Sequence, residues 1–138
     1  MNQKIIYITK TGHSRKIANK IGEELGLEVL DIKESPKLQN VDLLFVVGGI
    51  YGGKSDPKLL EYIDTLPQNA VKKALIMTSC TSMKSTQDEV RERLKAKGTE
   101  VDDDEFICKG NFLFFGWGHP NNEDVENAVN FAKKHLEK

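Results

Sequence analysis

At 138 residues the chain can bury one good core and is too short for two. Its 20 basic and 21 acidic residues leave a net charge of -1, so no overall field draws it to nucleic acid. No stretch approaches the ~20 apolar residues of a membrane-spanning helix, and the opening MNQKIIYIT has neither the long apolar region nor the small-residue cleavage site of a secretory leader.

A β-branched apolar run at 4–8 predicts the first strand. Ile17, Ala18, Ile21 and Leu25 then recur at the spacing of one helix face, and Gly26 supplies a stop. Residues 27–32 read as a second strand. The uninterrupted apolar run 43–47 demands burial on both faces, as a central parallel strand does. Asp56 before Pro57 is a cap followed by a first-turn residue, and Leu59, Leu60, Ile63 and Leu66 fall on one helical face behind it. A fourth strand is predicted at 74–77. Thr86 and Glu89 have capping-box spacing and open a charged helix that stops near Gly98. Residues 105–108 form a shorter fifth strand. Val125, Ala128, Val129, Ala132 and Leu136 make the last and clearest amphipathic helix.

Strands and helices alternating at these lengths predict a single α/β domain over 1–138, with a parallel sheet and helices on both faces, because parallel neighbours need crossover connections. Residues 33–42 and 109–121 read as loops or a degenerate helix within it. Cys80 and Cys108 form no CxxC and have no histidine at ligand spacing, which argues for a reduced, cytoplasmic setting. His13, His119 and His135 are scattered, and no metal site is expected.

In such a sheet, ligands bind beyond the carboxyl ends of the strands, where the strand order reverses. Residues 9–14 follow the first strand and open a helix, whose free N–H groups and positive dipole end suit an anion. Thr9, Thr11 and Ser14 add hydroxyl donors there, and Gly12 allows close approach of backbone. A helix cap would need one hydroxyl rather than three, so the stretch reads as a phosphate cradle. It is no Walker loop, since His13 and Ser14 follow the glycine and Lys10 precedes it, and GxGxxG is missing.

T-K-T-G-H-S at 9–14 with R-K-I-A behind it resembles the FMN-phosphate loop of the flavodoxin family. S-P-K-L-Q-N-V-D-L-L-F-V-V-G-G-I-Y at 35–51 resembles that family's third strand and the loop beyond it, and the likeness covers nearly the whole chain in its short-chain form. The resemblance implies a three-layer sandwich around a five-stranded parallel sheet of order 2-1-3-4-5. It also implies an FMN whose phosphate meets Thr9, Lys10, Thr11, Gly12, His13 and Ser14. The loop holding Ile50, Tyr51, Gly52 and Gly53 is expected to cover one side of the flavin ring, and in the family a peptide here turns over on reduction to accept a hydrogen bond from the flavin N5–H. Tyr51 either stacks on the ring or is an ordinary half-buried loop tyrosine.

A third loop, with Ser79, Cys80, Thr81 and Ser82, follows the fourth strand and offers donors to the pyrimidine edge of the flavin. Cys80 as a phosphatase nucleophile would require arginine at 86, where Thr86 stands. Trp117 either reaches the flavin from the loop after the fifth strand or packs under the last helix. Carrier flavodoxins are strongly acidic, and this chain is nearly balanced.

Electron transfer through bound FMN needs no acid–base machinery, which suits a sequence without a catalytic dyad. Its partners are then a reductase and an acceptor protein, with the chain a monomer or weak homodimer. Two other readings remain: a small FMN-dependent NAD(P)H:quinone reductase, and a flavin-free regulatory or interaction domain. A phosphoacceptor domain would need acidic residues where Thr9, Lys10 and Gly48 stand.

Overall fold

The computed structural model describes residues 2–8, 13–51, 54–55, 57–80, 88–109 and 122–136. Its elements alternate as the hydrophobic pattern demands: β1 (Gln3–Tyr7), α1 (His13–Leu25), β2 (Glu28–Asp31), a 3-10 turn (Ile32–Glu34), β3 (Val41–Tyr51), a two-residue β4 (Lys54–Ser55), α2 (Pro57–Asp64), β5 (Val71–Cys80), α3 (Asp88–Ala96), β6 (Glu100–Lys109) and α4 (Asn122–Leu136). The five long strands are parallel and lie in the order β2-β1-β3-β5-β6, which is the expected 2-1-3-4-5. Strand β4 is an addition, pairing antiparallel with the end of β3 through Ile50↔Ser55 and Tyr51↔Lys54.

Successive side chains of a strand point to opposite faces, and both faces of this sheet are apolar. Ile5, Tyr7, Phe45, Val47, Leu75 and Met77 share a buried cluster with Ile17, Ala18 and Ile21 of α1 and Ala128 and Ala132 of α4. Ile6, Leu44, Val46, Ala74 and Ile76 belong to the opposite cluster with Leu59, Leu60 and Ile63 of α2 and Val90 and Leu94 of α3. The run 43–47 is continuous because β3 lies at the centre and is covered on both sides.

Helix ends follow their caps. Gly26 takes a φ of +69° after α1, and the Leu27 N–H closes on Gly22 O at 3.0 Å. Behind α3, Gly98 at φ +82° brings Thr99 N–H to Leu94 O at 3.1 Å and its own N–H to Lys95 O at 3.0 Å, a Schellman closure. Leu66 lies beyond α2, yet two turn hydrogen bonds of 3.0 Å, Thr65 N–H to Tyr62 O and Leu66 N–H to Ile63 O, carry it into the core. The caps expected at Asp56 and Thr86 fall outside the described residues.

Three elements differ in extent from their sequence patterns. Strands β3 and β5 run on through Gly48↔Thr78 and Gly49↔Ser79, pairs that parallel hydrogen bonding supports without apolar side chains. Strand β6 starts at Glu100 rather than near 105 and takes in most of an acidic run. Ala74 pairs with Val101 while Ile76 pairs with Glu105, so a bulge absorbs the residues between. Lys73 lies 3.2 Å from the Asp102 carboxylate, and the Arg91 guanidinium donates to Asp102 O at 2.7 Å, which makes acidic character tolerable in that strand.

Residues 32–40, the crossover from β2 to β3, contain the 3-10 turn and no α-helix. Ser35 and Asn40 bend this strap with φ values of 49° and 54°. Leu38 plugs it into the core, and the Tyr62 hydroxyl of α2 donates to Pro36 O. Burial pushes the Tyr62 phenol up to about 12.

Gly98→Ala should destabilise the fold by about 2 kcal/mol in urea titration, because an L residue is strained at this φ and the new Cβ would collide with the Asn69 side chain. Gly26→Ala shares the strain but has nothing within 4 Å, so about 1 kcal/mol is expected. For Tyr62 the folded state holds its proton more tightly than the unfolded chain, so its contribution is complete below pH 10 and fades as pH rises through about 12. Tyr62→Phe should flatten the loss of stability over that alkaline range, and should cost about 1 kcal/mol at neutral pH through the lost hydrogen bond.

Candidate functional site

The sheet order reverses between β1 and β3: the chain leaves β1 for β2 on one side, and later enters β3 on the other. Connections departing in opposite directions leave a crevice above the carboxyl ends of these two strands. Tyr7 pairs with Val47 at that edge, and the Ile8 N–H donates to Val47 O at 3.1 Å. Only a few residues later the chain enters α1, so the carboxyl end of a central strand and a helix N-terminus stand close in sequence at the switch point.

His13 and Ser14 are the first two residues of α1. Ile50 and Tyr51 end β3, while Ser79 and Cys80 end β5. Cys80 pairs with Lys109, the last residue of β6. The backbone therefore brings the ends of β1, β3 and β5 to one edge of the sheet. Thr9, Lys10, Thr11, Gly12, Gly52, Gly53, Thr81, Ser82 and Trp117 lie outside the described residues.

The β4 hairpin turns the end of β3 back on itself, and Tyr51↔Lys54 pairing leaves only two residues between the strands, where the sequence has Gly52 and Gly53. Gly48 and Thr78, opposite each other in the sheet, are both buried, Thr78 being 1 % exposed. A glycine opposite a small hydroxyl residue keeps this ladder step, one before the last pair Gly49↔Ser79, free of bulk.

One pair at this edge escaped the sequence reading. Tyr7 and Asp31 are partners across β1 and β2, and the Tyr7 hydroxyl faces the Asp31 carboxylate at 3.4 Å. The second carboxylate oxygen of Asp31 accepts the Lys33 N–H at 2.9 Å, capping the 3-10 turn. Burial raises the Tyr7 phenol above its ordinary value, the Asp31 charge adds to the rise, and the Arg15 guanidinium opposes it. These contacts clamp the ends of β1 and β2 just before residue 9. An aspartate closing the otherwise apolar stretch V-L-D was the available signal, although the pairing itself spans distant sequence.

Among the described residues no group of three histidine, cysteine or acidic side chains could hold a metal ion. No described helix is long and apolar enough to cross a membrane.

A parallel sheet of this order, covered on both faces, defines a doubly wound α/β protein whose strand order reverses between β1 and β3. The sequence model of the flavodoxin domain matches residues 4–113, and the chain belongs to the flavodoxin family. It is 36% identical to the uncharacterised protein MJ0298 of Methanocaldococcus jannaschii over 137 residues, covering 90% of each. The oxidised flavodoxin 1 of Bacillus cereus superposes with a TM-score of 0.78 at 21% identity over 99% of this chain and 98% of that one. A flavodoxin from the domain Archaea gives 0.69 at 16% identity over 97% and 98%. At those identities the two structures speak for the fold alone.

Proposed function

We propose that this protein binds FMN in the crevice at its switch point and carries electrons between a reductase and an acceptor protein in the cytoplasm. The observation that carries the reading is the meeting of the β1, β3 and β5 ends at one edge, with a run of hydroxyl residues and glycine entering α1 there. The donor set suits FMN. Thr9, Thr11 and Ser14 offer hydroxyls, Lys10 and His13 flank them, and the first turn of α1 offers N–H groups to a dianionic phosphate. Ile50 to Gly53 line one side of the ring, with Ser79, Cys80, Thr81 and Ser82 at its polar edge.

Bound FMN supplies both one- and two-electron chemistry. The chain's own part is to orient that group, to keep one ring edge accessible to a partner and to set how readily it accepts electrons. Gly52 and Gly53, between two paired strands, give the backbone conformational freedom beside the ring. Membership of the flavodoxin family supports the reading, as does the absence of any need for a catalytic dyad.

If the phosphate is the main anchor, FMN should bind at least tenfold more tightly than riboflavin, since each charge-assisted hydrogen bond contributes about 1.5–3 kcal/mol. Flavin fluorescence quenching measures both affinities, and equal values would refute the phosphate role of residues 9–14. Gly12→Val should weaken FMN binding and leave the far-ultraviolet circular dichroism unchanged.

A carrier should take up electrons in two resolved one-electron stages during anaerobic titration, and Gly52→Val or Gly53→Val should bring those stages closer together. Rapid oxidation of NADH or NADPH with a quinone, without an added reductase, would instead identify an enzyme. A protein that quenches neither FMN nor riboflavin would be a flavin-free member of the fold.

A further inference from the structure

Donors at the start of a helix are only as well aimed as the backbone that carries them, and misplacement by about 1 Å forfeits much of what they could contribute. The chain leaves β1 at Ile8 and begins α1 at His13. On the strand side the Ile8 N–H is fixed on Val47 O at 3.1 Å. The residue before it, Tyr7, shares a buried cluster with Ile17, Ala18 and Ile21 of α1.

A buried phenol needs a partner for its hydroxyl. That partner is the Asp31 carboxylate, opposite Tyr7 in the β1–β2 ladder and 3.4 Å away. Asp31 is half-buried, and its other oxygen holds the Lys33 N–H at 2.9 Å, so it cannot swing away without releasing the 3-10 turn. Burial, and after it the Asp31 charge, raise the Tyr7 phenol, which therefore keeps its proton and donates throughout the neutral range. Arg15, an exposed residue in the first turn of α1, acts on the same phenol with the opposite sign, and Glu34 of the 3-10 turn adds weakly to the rise. One hydroxyl thus stands where the end of β1, the end of β2, the 3-10 turn and the first turn of α1 come together.

We propose that Tyr7 and Asp31 are positioning residues for the start of α1: the hydrogen bond between them fixes the angle at which the first turn presents its N–H groups, and so sets how strongly the protein prefers a flavin that carries a phosphate. The inference rests on the FMN reading of the crevice. Neither side chain has to touch the phosphate, because both act through the backbone. The hydroxyl is the active part of Tyr7, since phenylalanine fills the same apolar space.

The test sets Tyr7→Phe against Tyr62→Phe in the full-length protein. Tyr62 belongs to the opposite cluster and donates to Pro36 O, so each change removes one phenolic hydrogen bond from a buried ring, and a general loosening of the fold would affect both alike. FMN and riboflavin affinities are measured by fluorescence quenching. In Tyr7→Phe their ratio should fall roughly fivefold or more, the worth of one hydrogen bond. In Tyr62→Phe it should stay within about twofold, as for a distant, independent site. Asp31→Ala should match Tyr7→Phe, and the double variant should fall no further than Asp31→Ala alone, because one contact cannot be lost twice. In the flavin-free protein, amide hydrogen exchange at Ile17 and Ala18, whose N–H groups bond back to the first turn of α1, should quicken about tenfold in Tyr7→Phe and not in Tyr62→Phe. If the unaltered protein prefers FMN and Tyr7→Phe keeps that preference, if Tyr62→Phe loses it equally, or if exchange at Ile17 and Ala18 is unchanged, the positioning role is overturned while the FMN reading stands. An unaltered protein with no preference for FMN over riboflavin would overturn that reading and this role with it.

Discussion

The parallel pairing of β1 with β3 is the constraint on which the rest of this structure depends. Lys4 to Tyr7 pair with Leu44 to Val47 on one side and with Glu28 to Asp31 on the other, so β1 is the strand at which the winding changes direction. Every later strand is added on the β3 side. A crevice at the carboxyl edge is a geometric consequence of that reversal, and no side chain has to be spent on opening it. The ends of β1, β3 and β5 are thereby brought to one edge from sequence positions as far apart as 7 and 80.

Holding that edge steady is the work of ordinary packing. The strands beneath it are buried on both faces, and their apolar alternation divides the core into two clusters of comparable depth. The Tyr7 hydroxyl and the Lys33 N–H share the Asp31 carboxylate, which fixes the ends of β1 and β2 together at the point where the chain departs toward α1. Burial and then the Asp31 charge raise the Tyr7 phenol, and the Arg15 guanidinium opposes that rise without cancelling it.

The opposite tendency shows at the β2-to-β3 crossover. The strap there is held without a helix: Ile32 and Leu38 are buried in the core and the Tyr62 hydroxyl donates to Pro36 O. Family membership accounts for the sheet and the crevice.

What the sequence determined by itself was whatever local patterns encode. Helix faces such as Ile17, Ala18, Ile21 and Leu25, stops at Gly26 and Gly98, the buried run 43–47 and the hydroxyl-rich stretch 9–14 all announce themselves within a few residues, because periodicity, positive φ and donor chemistry are short-range properties. Strand order followed from the family resemblance those motifs carry, and the structure has it so. Only the tertiary structure decided how far β6 extends into its acidic run, since the pairing with β5, the bulge after Val101 and the contacts of Lys73 and Arg91 with Asp102 come from distant parts of the chain. It alone decided the Tyr7–Asp31 clamp and the Tyr62 contact with Pro36, because both depend on which elements become neighbours. Local pattern sets what each segment can become; long-range pairing sets what lies beside it, and a binding surface is made of the latter.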